Sequence, residues 1–83
     1  MNNLSYRVYS SYQGWNLIGI KQEIPQVITL IDEAIETENN AQYIVIEHNR
    51  DMNMDVPFKS IASIEEFKEF KEEYKPKEKI LKR

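Results

Sequence analysis

The change of hydrophobic period at Pro25 constrains this chain more than any other feature. Before it, residues 4–12 (LSYRVYSSY) alternate with period two, setting Leu4, Tyr6, Val8, Ser10 and Tyr12 on one face and Ser5, Arg7, Tyr9 and Ser11 on the other. Gln13-Gly14 then offers the positive φ of a tight turn. Residues 15–21 (WNLIGIK) form a return strand, so residues 4–21 read as a β-hairpin. After Pro25, a residue suited to a first helical turn, Val27, Ile28, Leu30, Ile31, Ala34 and Ile35 share one helical arc, with Ile24 at the entry. Asn39-Asn40 supplies a stop that tolerates left-handed backbone.

The continuous apolar run within residues 42–48 (QYIVIEH) suits a central strand covered on both faces. Residues 49–55 read as a polar loop. Residues 56–61 can add a short fourth strand, which Pro57 restricts to a sheet edge because it cannot donate a ladder hydrogen bond. Ser63-Ile64-Glu65-Glu66 matches a capping box, opening a helix that runs to about Tyr74 with Ile64, Phe67, Phe70 and Tyr74 on one stripe. Pairs Glu65–Lys68 and Glu72–Lys75 add helical spacing of opposite charges. The predicted fold class is α+β: a small, mainly antiparallel sheet of three to four strands with two helices on one face, in the order β-β-α-β-(β)-α. Residues 1–75 read as a single domain and residues 76–83 as a basic tail. The chain opens on Met1 with one compact pattern, the expectation for a free-standing gene product.

Several function classes lack their residues. With 83 residues and no cysteine, a disulfide scaffold, a zinc finger and thiol catalysis are excluded together. No apolar run approaches the ~18–20 residues of a membrane helix, and no signal-peptide core precedes the first strand, so a cytoplasmic location is expected. Asp51-Met52-Asn53-Met54-Asp55 begins like a calcium loop, but Val56 replaces the required Gly and Ala62 the bidentate Glu. No metal site and no cofactor are expected. The single histidine, His48, has Glu47 beside it in sequence, but neighbouring strand residues point to opposite faces, so Glu47 is not expected to orient it. With no nucleophile elbow and no phosphate-binding glycine loop, the expectation is a protein that is not an enzyme.

Two surfaces remain as candidates for binding. Residues 1–22 contain Tyr6, Tyr9, Tyr12 and Trp15, the bases Arg7 and Lys21, and no acid. Arg7, Tyr9, Tyr12, Trp15 and Lys21 are the candidate ligand- or partner-binding residues, since rings and cations stack bases or anchor side chains. Residues 23–49 carry six acids and no base, and Asp32, Glu33 and Glu36 form a candidate acidic face on the first helix. Residues 75–83 carry five bases and one acid, leaving a net charge of −3 for the chain.

These features suggest a small binding protein that occupies a host protein partner. One alternative is sequestration of a small nucleotide by the Tyr/Trp/Arg hairpin. Another is a nucleic-acid-associated regulator using the basic tail, which a pI near 5.1 disfavours. Phe, Tyr, Met, Ile, Asn and Lys total 37 residues against 11 for Gly, Ala, Arg and Pro, the skew of an AT-rich genome. A phage or other mobile element of a low-GC bacterium is therefore the expected source, with an anti-defence or regulatory role. A four-stranded sheet with helices on one side leaves a face open, so a homodimer is expected, across a sheet edge or that face.

Overall fold

A computed structural model describes residues 3–74. The elements are β1 (Leu4–Ser10), β2 (Asn16–Lys21), α1 (Ile24–Ile35), β3 (Tyr43–Asn49), β4 (Met54–Ile61) and α2 (Ile64–Glu73). The four strands form one antiparallel sheet in the order β2-β1-β3-β4. This is the predicted α+β fold with the fourth strand present. Because β2 and β3 both run against β1, they run parallel to each other, and the chain must cross the sheet between them. Helix α1, about 18 Å long at 1.5 Å per residue, makes that crossing.

The core forms where the sequence periods meet. Tyr6, Val8, Tyr43, Val45 and Ile61 from the sheet pack with Val27 and Ile31 of α1 and Phe67 and Phe70 of α2. Gly19 lets α1 approach β2: a Cβ there would lie 2.5 Å from a methyl of Leu30. Beneath α2, the rings of Tyr6, Phe58, Phe70 and Tyr74 form a chain with centroid spacings of 5.2–6.4 Å.

Local boundaries differ from expectation for identifiable reasons. Helix α1 stops at Ile35, before Asn39-Asn40, as its last turn tightens: the N–H groups of Glu36 and Thr37 bond three residues back, to the Glu33 and Ala34 carbonyls. Asn40 still adopts the left-handed backbone expected of it, with φ of 59°. The expected 49–55 loop shortens to the turn between Asn49 and Met54, because Asn53 takes φ of 51° without a glycine and the strands pair up to it. Pro57 lies on β4, an edge strand, as its missing donor requires. At α2, the Ser63 hydroxyl accepts from the Glu66 N–H at 3.2 Å, while the Glu66 carboxylate accepts from the Ala62 N–H at 2.7 Å. The ion pairs formed link elements: Lys71–Asp32 joins the two helices at 3.8 Å, and Lys59–Glu73 joins β4 to α2 at 3.6 Å. The Lys75 half of the expected Glu72–Lys75 pair lies outside the described residues, as does the basic tail.

Both hairpins contain a bulge, and both serve the core. The register slips between Val8 and Tyr9 and again between Val45 and Ile46, leaving Ile18 of β2 and Phe58 of β4 as extra residues. Each extra residue is half-buried against the core. The slip in β2 leaves Leu17 and Ile20, three residues apart, together on the other side of the sheet.

Candidate functional site: the open face of the sheet

Both helices cover the side of the sheet that carries Tyr6, Val8 and Val45, so among the described residues nothing covers the other side. Three rungs cross that open face in register. Leu17, Tyr9, Ile44 and Ser60 make the first. Ile20, Arg7, Ile46 and Pro57 make the second. Ser5, His48 and Asp55 make the third. The first two rungs form an apolar band crossed by one cation. Leu17 is 47% exposed and Ile20 53%, and their contiguity with Tyr9, Ile44 and Ile46 makes one patch of them. Tyr9, Ile44 and Ile46 are half-buried by their strand neighbours alone.

The third rung is polar and ordered. His48 Nδ1 lies 2.6 Å from Asp55 Oδ1 across the β3–β4 ladder. A carboxylate only accepts, so Nδ1 carries the proton of this bond. Arg7 Nη1, from β1, comes within 4.0 Å of Asp55 Oδ2 on β4. Glu47 faces the helices and accepts from the Tyr6 hydroxyl at 3.1 Å, on the opposite side from His48 as alternation requires. Asp55 is the residue the sequence reading missed. Its pairing with His48 follows from a turn between Asn49 and Met54 and is invisible if residues 49–55 are taken as loop.

Ser5, His48 and Asp55 are the residue types of a hydrolytic triad, and the register sets them side by side. No hydrogen bond joins Ser5 to His48 among the described residues, however. The backbone N–H groups of the inner strands are engaged in the ladder and cannot collect around a developing oxyanion. The rung offers instead a fixed imidazole–carboxylate–guanidinium cluster at the border of an apolar patch.

The structure divides the five candidate hairpin residues. Arg7 and Tyr9 stand together on the open face. Tyr12 and Trp15 lie on the β1–β2 turn, which Asn16 holds by donating to the carbonyls of Gly14 at 2.7 Å and Tyr12 at 3.2 Å. Trp15 is 51% exposed there. Lys21 pairs with Tyr6 and lies on the helix side, in a groove lined by Pro25, Gln26, Thr29, Leu30 and Glu33. It is therefore separated by the sheet from Arg7 and Tyr9. The acidic candidates are exposed, Asp32 and Glu33 on α1 and Glu36 at its C-cap, with Asp32 paired to Lys71 and Glu33 beside the Lys21 groove.

The calcium-like run does not gather its oxygens: Asp51 accepts from the Asn3 amide, and Asp55 is held by His48. Among the described residues no group of three or more His, Asp or Glu side chains could hold a metal ion, and no helix is long and apolar enough to cross a membrane. Comparison of the chain with protein-family models, with curated proteins and with solved structures finds no match in any of the three.

Proposed function

We propose that this chain is a non-enzymatic binding protein that occupies a partner protein through the open face of its sheet. The observation that supports this reading is the apolar band of Tyr9, Leu17, Ile20, Ile44 and Ile46, uncovered by either helix and bordered by Arg7, His48 and Asp55. Burying the exposed half of Leu17 and of Ile20 would contribute about 1 kcal/mol each. Aromatic and arginine side chains at the centre of such a patch act as anchors, and a polar border fixes orientation. The AT-biased composition fits a host protein of a low-GC bacterium as the target, met in its cytoplasm by a phage-encoded accessory protein.

Retention of proteins from a low-GC bacterial lysate tests this reading by contrasting the two sides of the molecule. The wild-type chain and an Asp32→Asn/Glu36→Gln variant are expected to retain the same protein. Leu17→Asp and Ile20→Asp are expected to lose it. Loss with the acidic-side variant and retention by both open-face variants would move the contact to the helices.

A further inference from the structure

We propose that the open face is self-complementary and that the free chain is a two-fold dimer closed sheet to sheet. This rests on the open face being a contact surface, and adds that a second copy is its first occupant, so that a partner must displace that copy.

Three observations select a second copy and this face. The first concerns the edges. A dimer formed by strand addition needs a regular edge, and β4 carries Pro57 and the Phe58 bulge while β2 carries the Ile18 bulge and Gly19. Proline and bulges are the devices that stop edge-to-edge pairing. The second is charge. The helix side carries Asp32 and Glu33 on α1, Glu36 at its C-cap and five glutamates on α2 against Lys68 and Lys71 of α2 and Lys21 and Lys59 of the sheet, an acidic excess that opposes the meeting of two copies there. The open face instead carries one guanidinium and one carboxylate, Arg7 and Asp55, beside His48. A two-fold axis passing between Arg7 and Asp55 sets each against its opposite in the other copy, and gives Arg7, whose ion pair among the described residues is 4.0 Å long, a second carboxylate to approach.

The third is area. Four strands at about 4.8 Å spacing and six residues of length cover roughly 19 by 20 Å. With side-chain relief, two such faces bury on the order of 1,000–1,200 Å² in total, at the low end of specific interfaces. Aligned sheets pack about 10 Å apart, a separation that Tyr9, Ile44 and Ile46 can fill. An interface of that size is reversible, as displacement by a partner requires.

The test is the solution mass of the full chain by sedimentation equilibrium from about 1 to about 200 µM, beside Leu17→Asp and Ile20→Asp. Both positions are exposed, and far-ultraviolet circular dichroism checks that the variants remain folded. The wild-type mass is expected to rise from 9.9 kDa toward twice that value, with both variants remaining at 9.9 kDa over the same range. A wild-type chain that stays at 9.9 kDa overturns the inference, as does a dimer that both variants leave intact. Neither result touches the proposed function: a monomer that still retains a partner through Leu17 and Ile20 keeps that reading and loses only this one.

Discussion

Glu38 ties the segment after α1 to the sheet through two buried hydroxyls. One of its carboxylate oxygens accepts from the Ser10 hydroxyl at 2.7 Å and from the Tyr43 hydroxyl at 3.0 Å. Ser10 Oγ in turn accepts from the Tyr12 N–H at 3.1 Å. Ser10 and Tyr43 are both buried, so Glu38→Ala leaves two hydroxyls without their acceptor. We expect a loss of about 2 kcal/mol in urea unfolding, within the usual cost of stranded buried polar groups. The same site sets an alkaline limit. Burial, then the hydrogen bond and charge of Glu38, push the Tyr43 hydroxyl well above its ordinary value of 10.0. Burial, reinforced by Glu47, raises Tyr6 as well. The folded chain therefore holds protons that the unfolded chain releases. Stability from these two groups is complete below about pH 10 and falls as pH rises further. Urea midpoints between about pH 8 and about pH 11 should decline, and Tyr43→Phe should flatten part of that decline. A flat wild-type profile would contradict the burial of both hydroxyls.

Helix α2 shows how an element too short to stand alone is held in place. Ten residues are below the length at which an isolated helix is stable, so its packing must supply the stability. Phe67 and Phe70 are buried, and Lys59 lies over the Phe70 ring at 5.7 Å. Phe70→Ala should cost about 3–4 kcal/mol, a large share of the stability of a domain this small. Ile64→Ala, on the same stripe but 48% exposed, should change the urea midpoint little. Equal losses at both positions would mean that α2 packs through a different face. The stripe, the Ser63 cap and the edge position of Pro57 were legible in the sequence because each depends on residues within one turn or one strand. The two bulges were not. A slip of one residue is decided by whether Ile18 and Phe58 reach the core, a property of the helices they meet rather than of their own strands. The His48–Asp55 bond was hidden for a related reason: it depends on where the β3–β4 turn falls, and no glycine marks that turn. For the candidate site, Arg7 and Tyr9 were placed together by simple alternation. The bulge kept Lys21 on the helix side while leaving Leu17 and Ile20 on the open face.

At the scale of the whole molecule, the sheet separates two surfaces of different chemistry. The acids of the middle of the chain lie on α1 and at its ends, with Glu47 on the helix side of β3, beside an α2 that carries five glutamates and two lysines, while the base-only hairpin contributes Arg7 to the opposite side and Lys21 to the helix side. The acidic excess of the described residues is therefore unevenly distributed, and the nearly neutral side is the apolar one. This sidedness is the basis for assigning partner contact to the open face and leaving the helices in solvent. Added salt should affect the two surfaces differently. Contact through the apolar band should persist at about 0.5 M salt, whereas contact through the acidic helices should weaken steeply. Binding measured at low and high ionic strength distinguishes these outcomes. The most direct measurement is photo-crosslinking in cells, with benzoylphenylalanine replacing Ile20 on the open face or Glu69 on the helix side. The proposed reading predicts adducts with a second protein from position 20 and none from position 69. Adducts from position 69, with nothing beyond the self-dimer from position 20, would contradict it.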